Sequence, residues 1–229
     1  MSEALEVTDT QETPDEGALP KAPRLPQQPR GQKRVEQILD AAEALIAELG
    51  MEAVTTNAIA ERAGSSMGSL YHFFPSGKDA VIEALGRRYM EHMRALNARA
   101  LDVGLARIPL RDVFRGIVMG MADFIAATPA FPAVHDTMIR VHCLPHGKLA
   151  EYEEAILDNI SRYIQARLPR LPAERLVTIT KVSFQTVSGS VDLSMRLEGA
   201  ERQAVLEEIQ DVMVNYMEPL ERKYGPVEA

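Results

Sequence analysis

His135, His142, Cys143 and His146 are the closest this sequence comes to a reactive cluster. Imidazole and thiolate together suit zinc or copper. Pro145 breaks the stretch, however, and no second cluster completes a tetrahedral set, so no metal is expected. One or two of these histidines fit better as polar anchors for a ligand, or as surface residues near a turn. Cys143 is the single cysteine, so a redox switch would have no resolving thiol within the chain. There is no glycine-rich phosphate loop, Gly-x-Ser-x-Gly elbow or His-Glu-x-x-His pair. No catalytic residue and no cofactor is assigned.

A second set of side chains suits non-covalent chemistry with an anionic polymer. Arg30, Lys33 and Arg34 follow an acidic stretch: residues 1–20 carry six carboxylates and no base, whereas 21–34 carry five bases and no carboxylate. The formal net charge is −8, but a basic segment can still lie along phosphates. Further on, Tyr71 and Lys78 offer donors for phosphate oxygens. Ser66, Met67, Gly68 and Ser69 are small or flexible enough to approach base edges, and His72 reaches either a phosphate or a base. Lys78 opposes the dipole of its own helix, yet beside free backbone N–H groups it completes an anion site.

The elements that position these residues are helices. Residues 1–30, with five prolines and few large apolar groups, form a tail that is acidic and then basic, expected to be disordered. Val35, Ile38, Leu39, Ala42, Leu45, Ile46 and Leu49 make one helical stripe that Gly50 stops. Thr55 or Thr56 caps a short helix ending at Ala63-Gly64, and Ser66 caps another ending near Phe74. Leu70, Phe73 and Phe74 face inward. After Pro75, Ser76 and Asp79 form a capping-box pattern for a helix running from Lys78 to about Asp102. Two short helices meeting at a glycine, behind a longer amphipathic one, are the arrangement that places a helix in a DNA major groove.

Beyond residue 86 the breaks fall at 104–109, 128–132, 144–147 and 168–172, with helices between them and no convincing strand. The last two helices, about Ala173–Leu197 and Glu201–Lys223, are the most regular. The reading is all-α, about nine helices: a helix-turn-helix domain at 31–85 and an effector-binding and dimerisation domain at 86–229. Apolar residues make up 46% of the chain and aromatics only 5%, so aliphatic side chains and methionine fill the core. No apolar run approaches the roughly 18 residues that would cross a bilayer, no secretory signal is present, and one cysteine fits a reducing cytoplasm.

The stretch from about Arg34 to Tyr89 resembles the DNA-binding domain of the tetracycline-repressor (TetR) family of bacterial regulators. The resemblance rests on Ile38-Leu39-Asp40-Ala41-Ala42, Leu49-Gly50, Thr55-Thr56, Ile59-Ala60, Ala63-Gly64, Gly68-Ser69-Leu70-Tyr71-His72, Phe74-Pro75 and Lys78. It implies a homodimer on an inverted-repeat operator of double-stranded DNA, with the last two helices of each subunit forming a four-helix interface. It also implies a small apolar effector whose binding in the C-terminal domain releases DNA. Thr56, Tyr71 and Lys78 would hold phosphates, with 66–69 and His72 near bases. Ser65 stands where a buried aliphatic residue is common, Met67 replaces a frequent polar reader, and Gly77 adds a residue before Lys78. Met119, Phe124, Met138, His142 and Phe184 are the residues expected to touch the effector. The alternative is a helical small-molecule-binding module or an enzyme without DNA-binding activity.

Overall fold

Helix α1 (Pro29–Leu49) begins inside the stretch expected to be tail, with Pro29 in its first turn, where a missing N–H goes unnoticed. The computed structural model describes residues 28–141 and 146–226, and side chains except at 139–152. The rest of the expected tail, His142, Cys143 and the His146 side chain lie outside the described residues. The α1 stripe buries Val35, Ile38, Leu39, Ala42, Leu45 and Ile46. Leu49, expected on that stripe, is instead 55% exposed, because the helix ends there and runs past its neighbours.

Thr55 Oγ accepts from Ala58 N at 3.2 Å and starts α2 (Thr56–Arg62). Ser66 Oγ accepts from Ser69 N at 3.2 Å and starts α3 (Met67–Phe73). Each cap satisfies a backbone donor that its helix leaves free. Between them Gly64 adopts φ +58°, a left-handed turn that a side chain would resist. Helix α4 (Lys78–Ala100) starts at Lys78 as expected, with a different cap. Its N-cap is Gly77 rather than Ser76. The positive φ of Gly77 makes the turn into the helix.

A short 3-10 turn (Val103–Leu105) leads to α5 (Leu110–Ala127), α6 (Phe131–Val141), α7 (His146–Arg167), α8 (Ala173–Met195) and α9 (Gly199–Tyr224). Among the described residues there are nine α-helices and no strand. The breaks sit where proline removes a donor or glycine relaxes the backbone. No single described helix is long and apolar enough to cross a membrane.

Two buried clusters organise these helices. One joins α1, α2, α3 and the first half of α4, and continues to Ile125, Phe131, Val134 and Val191. The other is built from α5, α7, α8 and α9. The core under the first three helices therefore runs on into the body, so the two halves share packing through α4 and α6. Arg88 on α4 reinforces the junction by gripping Glu36 (3.1 Å), Asp40 (2.6 Å) and Glu43 of α1.

Arg167 is the corresponding fastener of the body. Only 4% exposed, it donates to the carbonyls of Ala106 (3.0 Å) and Ile108 (2.7 Å) and to the Tyr163 hydroxyl, and pairs with Glu221 at 2.8 Å. The expected effect of Arg167→Met is a loss of about 2–3 kcal/mol, since two carbonyls and a carboxylate lose their donor. Urea denaturation checks this; an unshifted midpoint would deny Arg167 that role.

Candidate functional site

The face of α3 opposite its core presents Gly68, Tyr71 and His72 to solvent, while Leu70 and Phe74 are completely buried beneath it. Ser66 is exposed; Ser69 is half-buried. Met67 packs partly against the head core, so its side chain is shared between core and surface. The His72 ring meets the Phe73 ring edge-on at 4.9 Å. Ser65, at a position where an aliphatic residue is common, is only half-buried, which a hydroxyl tolerates.

Gly77 draws three segments together. A Cβ placed on it would lie 3.1 Å from Thr56 Cγ2 and 3.3 Å from Tyr71 Cε1. The first turn of α2, the exposed tyrosine of α3 and the start of α4 thus converge at one bare backbone position. Thr56, Tyr71 and Lys78, picked out separately along the chain, become neighbours.

The cations divide by task. Arg30 and Lys33 project from the first turns of α1. Arg34 donates to the Gly64 carbonyl at 3.1 Å, clamping the turn between α2 and α3. Lys78 Nζ donates to the Met51 carbonyl at 2.6 Å, tying α4 to the loop after α1. Arg62 makes two bonds to Glu48, at 2.9 and 2.6 Å. That contact lowers the Glu48 pKa, through the Arg62 hydrogen bond first, and raises that of Arg62. These partners were not legible beforehand, because each spans 14 to 30 residues of chain.

Helices α4 to α9 surround a partly open cavity of about 340 Å³. It follows α4 from Gly86 to Leu101, about 22 Å at helical rise. Its walls are largely aliphatic and thioether, with Met90, Met93, Ile117, Met121 and Met213 among them. At the end nearest the head, Met138 sits directly on Gly86, where an added Cβ would fall 1.8 Å from its sulfur. His135 Nε2 stands 3.8 Å from Asp192 Oδ1 at that end. Farther along, Asn97 Oδ1 and Ser183 Oγ are buried without a hydrogen-bond partner.

Of the residues expected to touch an effector, Met138 and Phe184 line this cavity. Phe124 stands behind the wall, edge-on to Tyr89 (6.0 Å) and Phe131 (5.1 Å) and stacked on His92 (4.7 Å). Met119 lies in a polar surface groove beside Arg111, Arg115 and Gln203, because α5 turns Ile117 and Met121 inward and Met119 away. The α4 wall was not anticipated. Met90, Met93 and Asn97 do recur at helical spacing, a second inward face that periodicity alone could have flagged.

Tyr89 joins cavity to head. Its ring lines the cavity and packs edge-on against Phe131 at 5.5 Å. Burial, and then the Glu43 carboxylate of α1, push its phenol pKa far above the ordinary value, so the hydroxyl keeps its proton.

Comparison with known proteins matches residues 38–85 to bacterial regulatory proteins of the tetR family, and residues 109–217 to the tetracyclin repressor-like C-terminal domain. The HTH-type transcriptional repressor KstR of Mycolicibacterium smegmatis is 42% identical over 72 residues, which is 31% of this chain and 35% of that protein. The repressor KstR2 of the same organism is 33% identical over 131 residues, 57% of this chain and 61% of its own length. The chain thus spans between about a third and three fifths of these two relatives. A putative TetR-family regulator from Mesorhizobium loti shares the fold with a TM-score of 0.66 at 15% identity, over 87% of this chain and all of that one.

Proposed function

The chain belongs to the TetR family of regulators, and from that premise we propose that it is an effector-responsive transcriptional repressor acting in the cytoplasm. It binds an inverted-repeat operator as a homodimer and leaves it when an apolar molecule fills the body cavity. The observation that carries the DNA half is the convergence of Thr56, Tyr71 and Lys78 around Gly77, beside the exposed face of α3. Those three hold phosphates, with Arg30, Lys33 and Arg34 extending the contact along the backbone. Ser66, Met67, Gly68, Ser69 and His72 approach base edges.

The dimer is supported by what α8 and α9 leave uncovered. Val177, Val182, Leu193 and Val212 are large apolar side chains exposed on these two helices, and Gly189 with Ser190 lets a second backbone come close. Twofold pairing there sets two α3 helices about 34–36 Å apart, one turn of DNA.

Release follows from linkage. An effector in the cavity touches Tyr89, which faces Glu43, and the adjacent Arg88 holds Glu36, Asp40 and Glu43 of α1. A shift of α4 is therefore felt by the head. An effector that fits only the shifted state lowers operator affinity by its differential binding energy.

Selection of sites from random duplex DNA with the purified protein tests the reading directly: an inverted repeat is expected, and no enrichment at low salt refutes it. On the selected operator, Tyr71→Phe is expected to weaken binding about five- to tenfold, the loss of about 1 kcal/mol for one phosphate hydrogen bond. Lys78→Gln keeps a donor for the Met51 carbonyl but drops the charge. It should flatten the dependence of log affinity on log salt by about 0.9 per subunit. An unchanged slope assigns Lys78 to the loop contact alone.

A further inference from the structure

Resting on that reading, we propose that the effector is an uncharged, elongated apolar molecule bearing a hydroxyl group, seated with the hydroxyl at the Asn97–Ser183 end of the cavity. Three features of the cavity carry this.

The first is its shape and lining. It runs about 22 Å beside α4, between aliphatic and methionine side chains that accept a flexible chain without demanding a rigid outline. The second is the set of polar atoms left open within it: Tyr89 Oη, which faces Glu43, and a pair farther from the head. Asn97 Oδ1 on α4 and Ser183 Oγ on α8 are both buried, both without a partner, and both belong to cavity-lining residues. Buried polar atoms are normally satisfied, so an open pair facing a cavity marks where a ligand atom or a displaceable water belongs. Asn97 lies eleven residues along α4 from the Gly86–Met138 contact. Ser183 is twelve residues from Met195, which packs on the head cluster. Both therefore sit toward the body's own core, away from the His135–Asp192 end. An amide oxygen only accepts, whereas a serine hydroxyl can donate. An alcohol can answer either atom, donating to Asn97 Oδ1 or accepting from the Ser183 hydroxyl.

The third feature is charge. Among the described lining residues the acidic side chains are Glu153 and Asp192, with no lysine or arginine. Arg167, behind Tyr163, is committed to Glu221 and two backbone carbonyls. A carboxylate would lose its hydration on entry and meet only like charge. An alkylammonium would avoid that repulsion and could donate to both oxygens, but it would carry its charge out of water between apolar walls.

The test uses four twelve-carbon probes with the full chain: dodecan-1-ol, dodecanoate, dodecylamine and dodecane. Binding is followed by calorimetry without DNA, and operator release separately by mobility shift. Dodecan-1-ol is expected to bind at least tenfold more tightly than the other three. Ser183→Ala and Asn97→Leu should each remove most of that preference while dodecane still binds, which shows the cavity is folded. Tighter binding of dodecanoate or dodecylamine overturns the proposal. So does no binding of any probe, or an alcohol preference indifferent to both substitutions. If the alcohol binds through Asn97 and Ser183 yet leaves the operator occupied, the site stands and the repressor-release reading fails instead.

Discussion

Gly77→Ala is expected to lower operator affinity by at least about tenfold and to destabilise the protein by about 1–3 kcal/mol. The backbone of Gly77 has φ +61° and ψ −128°, a region that side chains effectively forbid. Strain is only part of the effect. The new Cβ would meet Thr56 Cγ2 at 3.1 Å and Tyr71 Cε1 at 3.3 Å. Thr56 is β-branched and held in the first turn of α2, so it has little room to turn aside. Tyr71 must move instead, and with it one of the proposed phosphate contacts. Gly68→Ala is the informative control. Gly68 sits within α3 with nothing within 4 Å of an added Cβ, so alanine there should leave stability unchanged or raise it. Should Gly68→Ala still weaken binding, close approach of α3 to DNA is the cause. Thermal unfolding and mobility shift on the same preparations separate the two effects. Wild-type operator affinity in Gly77→Ala would show that the convergence of Thr56, Tyr71 and Lys78 does not matter for DNA.

Phe74→Ala should cost about 3–5 kcal/mol and abolish operator binding. Phe74 is wholly buried, closes α3 through its N–H to the Leu70 carbonyl at 2.8 Å, and belongs to the cluster that joins α1, α2 and α4. Against a total stability typically of 5–15 kcal/mol, that loss is large and falls on the small head. The body has its own cluster on α5, α7, α8 and α9, so helical content should survive in part as the head melts. A two-step urea transition followed by circular dichroism would show this. Phe74→Leu, which keeps most of the volume, should lose under about 1.5 kcal/mol and retain DNA binding. Equal damage from both substitutions would mean the ring does more than fill space.

Local signals explain which features were legible in the residues. Thr55 and Ser66 are placed to cap, Gly64 to turn, and the prolines at 129, 132, 169 and 172 to interrupt, because a dihedral preference or a missing N–H acts within a few residues. The α1 stripe was visible for the same reason, apart from Leu49 at its frayed end. The cap of α4 shows the limit of such signals: the start at Lys78 was legible, but the N-cap is Gly77, whose positive φ makes the turn.

By itself, then, the sequence determined the all-helical architecture, the helix-turn-helix and the residues on its outward face. Only the tertiary structure decided which of those residues meet. It brought Thr56 and Tyr71 against Gly77, anchored Lys78 on the Met51 carbonyl and set Arg34 on Gly64. It also set the cavity wall on Met90, Met93, Asn97 and Ser183, with Met119 outside it. Helical periodicity says which face turns inward. Whether that face meets another side chain or an open space depends on the register of six helices packed around it, and no local preference encodes that register.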